Sequence, residues 1–128
     1  MKRVIQFELN PNHAQRIILD SLTYAASKLW NIGNYERKSW TKESGRPYPD
    51  WYDQKKRLKE NFWYKNLPSQ TAQEVLKQLD GAWKSFYKLK KTGGIENPRP
   101  PRYKHKNSNI RYLNKGFTIT EGRIRFAN

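Results

Sequence analysis

Residues Leu67 to Lys91, LPSQTAQEVLKQLDGAWKSFYKLKK, constrain the fold more than any other stretch of the chain. At about 100° per residue, Ala72, Val75, Leu76, Leu79, Ala82, Trp83, Phe86, Tyr87 and Leu89 share one broad side of a helix. A helix with such a side must bury it. Nearly opposite, within a sector about 60° wide, fall Gln70, Gln73, Lys77, Lys84, Lys88 and Lys91, with no acid among them. The start is marked by Pro68 at a first helical position, Ser69 as a cap and Leu67 as a staple onto the first turns. Gly93 and Gly94 stop it. One face is thus an anchor for a bundle, and the other is suited to a polyanion or to water.

Three further segments build around this helix. Lys2 to Leu9 alternates apolar and polar residues and reads as a strand. Asn12 and Gln15 form a capping box, after which Ile18, Leu22, Ala25, Leu29 and Ile32 draw one apolar stripe along a long helix running to about Lys42. Gly45, Pro47 and Pro49 make a loop carrying Tyr48. A shorter helix begins at Asp50, with Trp51, Tyr52, Leu58 and Phe62 on or near its buried side and Lys55, Lys56, Arg57 and Lys59 outside. Short joints between the helices give a three-helix bundle with the outline of a helix-turn-helix.

After Lys91 the composition shifts to TGGIENPRPPRYKHKNSN, a poor helix and a poor strand. Period-two alternation returns from Ile110, with Phe117 and Ile119 before a Glu121-Gly122 turn and Ile124 and Phe126 after it, the pattern of a hairpin. The expected class is therefore α+β, a helical bundle inserted between an N-terminal strand and a C-terminal β-hairpin as part of an incomplete barrel. The divisions expected are a strand over 1–10, a helical recognition bundle over 11–92, a basic Pro- and Gly-rich linker over 93–109 and strands over 110–128. An exposed edge at the last strand suggests the front part of a longer protein, or one that borrows a partner.

Lys and Arg number 26 against 11 Asp and Glu, a net charge of +15 that costs stability by self-repulsion and attracts anionic partners, nucleic acid foremost. Aromatics at 14% are too many for a disordered basic tail, so the chain should fold. No cysteine is present, which removes disulfides and thiolate metal sites. No apolar run is long enough to span a bilayer and no signal peptide opens the chain, so membrane association is not expected and the cytoplasm is the expected compartment.

Catalysis has no constellation behind it. The acids are scattered, Asp50 is best explained as a helix cap, and His13 and His105 are isolated residues suited to surface or capping positions. No metal site, cofactor site or phosphate-binding Gly loop is expected. Nucleic-acid binding is better supplied: lysines for phosphate, Gln and Asn for base edges, aromatics for unpaired bases. Its densest local signal is Lys84, Lys88, Lys90, Lys91, Arg99, Arg102, Lys104 and Lys106, interrupted only by Glu96. Tyr48, Trp51 and Trp63 fit a core better than a stacking role.

The Leu67–Lys91 block, followed by NPRPPRYKHK, resembles the N-terminal part of transposon-encoded TnpB (OrfB) proteins, relatives of type V CRISPR effector nucleases. FELNPNHAQRIILDSL and FTITEGRIRF also fit that family, so the resemblance spans the chain. It implies a wedge-like barrel and a recognition lobe that together grip a guide RNA and read a short motif flanking the target DNA. Carried onto matching positions, it puts Ser69, Gln70 and Gln73 beside DNA, with Tyr48, Tyr52 and Asn114 as further neighbours. Lys77, Lys84, Lys88 and Lys91 then lie along phosphate, while Arg99, Arg102, Lys104 and Lys106 are expected at phosphate from the charge of the basic segment alone. The family's RuvC-like nuclease part and its cysteine zinc site have no counterpart in this sequence, so the expectation is a recognition module without cleavage, partnered by guide RNA, duplex DNA and a separate RuvC-like nuclease chain. A stand-alone helix-turn-helix regulator and a ribonucleoprotein scaffold are the alternatives.

Overall fold

The computed structural model describes residues 10–93 and 96–105 and the backbone of 117–120 and 123–126. Four helices, α1 (His13–Ser39), α2 (Trp51–Arg57), α3 (Phe62–Lys65) and α4 (Ser69–Thr92), form the body, with 3-10 turns at Lys42–Ser44 and Leu58–Glu60. α1 packs on α3 and α4, and α2 packs on α4. Strands β1 (Phe117–Thr120) and β2 (Arg123–Phe126) pair antiparallel with each other, Phe117 opposite Phe126 and Ile119 opposite Ile124.

The expected α+β architecture is overturned, because the body is helical throughout and no sheet layer covers it among the described residues. Two four-residue strands joined only to each other are too small a unit to form such a layer. The physical reason is that the helices close the core by themselves. Ala25, Ala26 and Leu29 of α1, Leu58, Tyr64 and Leu67 of the middle segment, and Ala72, Val75, Leu76, Leu79 and Trp83 of α4 are all buried. The proposed first strand, the linker end at Lys106 and the position of Asn114 lie outside the described residues.

Local signals explain most of the helix ends. Asn12 Oδ1 accepts from Gln15 N at 2.8 Å while Asn12 N donates to Gln15 Oε1 at 2.9 Å, a reciprocal capping box. Asp50 caps α2 through Asp53 N, and Gly93 closes α4 in the left-handed region at φ 68°. Three expectations change. α4 starts one residue later than expected: Pro68 is the cap residue and Ser69 the first helical one, with no side-chain cap bond. The middle helix is broken into α2, a 3-10 turn and α3, since Asn61 turns extended and caps a new start at Trp63 N. Tyr52 and Phe62, expected on the buried side, are 58% and 65% exposed: Gln54 and Leu58 take the inward face of α2, and the restart at Asn61 sets the direction of Phe62 anew.

A polar cluster runs through the centre of this apolar bundle. Arg37 is 3% exposed; its Nη2 donates to Asp80 Oδ1 at 2.9 Å and its Nε to Gln54 Oε1 at 3.1 Å. Gln54 is fully buried and donates through Nε2 to the Gly33 carbonyl and to Glu36 Oε1, both at 3.0 Å. Gly33 leaves room for this contact and for α4, since a Cβ there would lie 3.3 Å from Gln54 Nε2 and 2.7 Å from Leu79 Cδ2. Arg57 then clamps Glu36 with two bonds, of 2.7 and 3.0 Å. One connected set of charges therefore ties α1, α2 and α4.

Burial pushes the Asp80 carboxyl up, but hydrogen bonds from Lys84 and Arg37 outweigh it and hold the group below its ordinary value. Glu36 is likewise held down by Arg57 and Gln54 against burial. A depressed folded pKa means stability that is full above the unfolded values, near 4, and lost as pH falls through the lower folded ones. Arg37→Ala should lower stability by about 3–5 kcal/mol, because it removes the buried partner of Asp80, leaving only the exposed Lys84, and strips Gln54 Oε1 of its donor. Urea unfolding at neutral pH tests this, and Asp80→Asn should flatten the acid limb of the stability profile; an Arg37→Ala loss under about 1 kcal/mol would place the pair outside the core interactions.

Candidate nucleic-acid interface

With Gln54 and Leu58 buried, α2 and the turn after it must face Lys55, Lys56 and Lys59 toward solvent. Along α4, Ser69, Gln73 and Lys77 follow at steps of four on the side turned toward α2. Between the two elements lies a cleft of about 590 Å³ lined by Lys55, Lys56, Lys59, Glu60, Lys65, Ser69 and Gln73 over Tyr64 and Leu67. Lys65 is paired with Glu60 at 2.7 Å, which holds the Glu60 carboxyl down. Lys55, Lys56, Lys59 and Lys77 have no carboxylate at ion-pair distance among the described residues. Four lysines of the cleft wall thus stand beside a single carboxylate, Glu60, which Lys65 already holds.

At the α2 end the cleft meets an aromatic pair. Trp51 and Tyr52 have ring centroids 4.3 Å apart at 33°, and Lys55 Nζ sits 4.7 Å from the first ring and 5.2 Å from the second. Lys77 Nζ reaches to 5.9 Å of the Trp51 ring from α4. Of the residues expected at nucleic acid, Ser69 and Gln73 line the cleft, while Tyr52 reaches it through Lys55 and Lys77 approaches Trp51. Gln70 is exposed on the first turn of α4.

Other expected contacts fall elsewhere. Tyr48 serves the structure: its ring meets Trp40 and Tyr87 edge-on, its hydroxyl is 3.3 Å from that of Tyr87, and the Arg37 guanidinium lies 5.6 Å from its centroid. Burial pushes the Tyr48 phenol well above its usual range. Lys84 is bonded to Asp80 at 2.9 Å, so the stripe along α4 is interrupted by an acid one turn back. Lys88 and Lys91 are exposed at the far end of α4. A second depression, of about 330 Å³, is flanked by Arg57, but that guanidinium is already held by Glu36 and Asp53.

The segment expected to be a linker is docked in part. Asn34 Nδ2 donates to the Pro101 carbonyl at 2.9 Å, Trp30 Nε1 to that of Arg102 at 2.9 Å, and Asn31 pairs with both N and O of Lys104 at 2.8 Å. Residues 101–104 therefore form a strap along α1. Lys104 Nζ lies 4.4 Å from the Trp30 centroid and Lys38 Nζ 4.4 Å from that of Tyr103, while Arg99 and Arg102 are exposed. Gln54 of α2 meets α1 at Gly33, Glu36 and Arg37, whereas the strap meets it at Ser27, Asn31 and Asn34. By helical geometry these sets are about 130° apart, so Arg102 and Lys104 belong to a different side of α1 from the cleft.

Sequence reasoning missed the cleft lysines as a site. Their signal was the row Tyr52, Lys55, Lys56, Lys59 at i, i+3, i+4 and i+7. Among the described residues no group of three His, Asp or Glu could hold a metal ion, and no helix is long and apolar enough to cross a membrane. The chain matches no family model, no curated protein and no solved structure.

The strap makes a direct prediction. Asn31→Ala removes two hydrogen bonds worth about 1 kcal/mol each, so trypsin should cut after Arg102 and Lys104 several-fold faster than in the parent. Limited proteolysis read by mass spectrometry measures it, and unchanged cleavage would mean that Asn31 does not hold the segment.

Proposed function

We propose that this chain is a nucleic-acid-binding recognition module of the TnpB type, non-catalytic by itself, that engages a guide RNA and the duplex flanking its target. The observation that supports the reading is the convergence at the α2–α4 cleft. Ser69 and Gln73, expected beside DNA, line it with Lys55, Lys56 and Lys59, and Tyr52 and Lys77 adjoin it through Lys55 and Trp51. Ammonium groups without carboxylate partners supply phosphate affinity, and the amide of Gln73 can exchange paired hydrogen bonds with a base edge. Cleavage would come from a separate RuvC-like chain.

Binding to a structured RNA and to a randomised duplex library, each at two salt concentrations, tests the proposal. Changing Lys55, Lys59 and Lys77 together to Gln should weaken binding to every sequence and reduce the salt slope by about 2–3. Lys84→Gln should cost less than Lys77→Gln, since Asp80 already holds Lys84. Gln73→Ala should shift preference among duplex sequences by about 1–3 kcal/mol. Tight duplex selection without any affinity for RNA would favour a helix-turn-helix regulator, and binding unaffected by the triple change would contradict the assigned face.

A further inference from the structure

We infer that Tyr52, backed by Trp51, is a stacking site for an unpaired base, so that the α2–α4 cleft takes a single-stranded stretch of nucleic acid. This rests on the nucleic-acid reading above and names the substrate class of that same face. It assigns Tyr52 to the flat face of an unpaired base, where the family resemblance alone had put it beside duplex DNA.

The ring is available and its neighbours are arranged for the purpose. Tyr52 is 58% exposed, and its one aromatic partner among the described residues, Trp51, lies 4.3 Å away at a 33° tilt. One face therefore rests on Trp51 and the opposite face meets solvent. The other exposed rings lack part of this arrangement. Phe62 stands edge-on to Trp63, with no ammonium or guanidinium over it among the described residues, and Tyr35 borders the depression where Arg57 is neutralised. Tyr48 is enclosed between Trp40 and Tyr87.

Lys55 connects the rings to the cleft, lying over both and lining it. From Tyr52 through Lys55 and Lys56 to Lys59 the row runs about 10 Å along α2 and its following turn, and Ser69 and Gln73 bound it on the α4 side. A base stacked on Tyr52 places its own and the next phosphates along those ammonium groups. Duplex bases cannot use the ring, because their faces are covered by neighbouring base pairs. Stacking also reads no base edge, so the site accepts different bases.

The experiment measures binding of the full chain to one fluorescently labelled 12-nucleotide sequence, as RNA, as DNA and as a DNA duplex, at fixed salt. Tyr52→Ala should lower single-strand affinity about 5- to 150-fold relative to duplex affinity, and Tyr52→Phe should restore it. Loss in only one single-strand arm supports the site and identifies the sugar it takes. Equal loss on single strand and duplex, or no loss on either, overturns the stacking site while parent binding still upholds the broader reading. If the parent chain binds none of the three, both fall. Circular dichroism of each variant separates these outcomes from unfolding.

Discussion

A guanidinium whose side chain is 1% exposed must find its hydrogen-bond acceptors inside the protein, and for Arg37 those acceptors come from two other helices. Asp80 of α4 takes one bond and Gln54 of α2 another, and Gln54 passes the connection back to α1 through Gly33 and Glu36. Burying such a pair costs several kcal/mol in desolvation, which its Coulomb attraction offsets only with good geometry and satisfied remaining atoms. Both conditions hold. No buried side-chain nitrogen or oxygen among the described residues is without a partner. The cluster sets which face of α2 turns inward, and hence that Lys55, Lys56 and Lys59 turn outward.

The same logic extends to the far side of α1. Trp83 donates to Asn34 Oδ1 at 2.9 Å, and Asn34 donates onward to the Pro101 carbonyl. A buried α4 indole is thus joined, through one asparagine, to the strap. Side-chain amides substitute here for a sheet partner: Asn31 meets the N–H and the carbonyl of Lys104 much as a neighbouring strand would. That substitution lets a Pro-rich stretch lie against a helix with its backbone groups satisfied.

Much of the bundle was legible because its signals are local. The Asn12–Gln15 box, the Asp50 cap, the Gly93 stop and the apolar stripe through Leu76 and Leu79 each depend on residues within a few positions. What stayed hidden depends on distant pairs. Arg37 looks like one more surface cation until Asp80 is found 43 residues away, and the strap residues look like linker until Trp30, Asn31 and Asn34 are seen to hold them. Phe62 misled because the helix was taken as continuous, whereas Asn61 restarts it, and Tyr52 because the inward face of α2 belongs to a polar residue, Gln54. The α+β expectation failed for a related reason: alternation in short segments was given the weight of a layer, while the helices already covered one another. Of the candidate site, the α4 half was read from its polar stripe. The lysines of α2 were seen only as solvent-facing, because nothing in sequence says that α2 and α4 turn toward a common cleft.

The central proposal is that nucleic acid docks in this cleft and not on the strap along α1. Hydrogen–deuterium exchange of the chain with and without a structured RNA tests it directly, since bound backbone loses solvent access wherever the contact forms. The account predicts added protection over residues 51–59 and 69–77, with the strap at 101–104 unchanged. Protection confined to the strap and α1, or spread evenly along the chain, would contradict it.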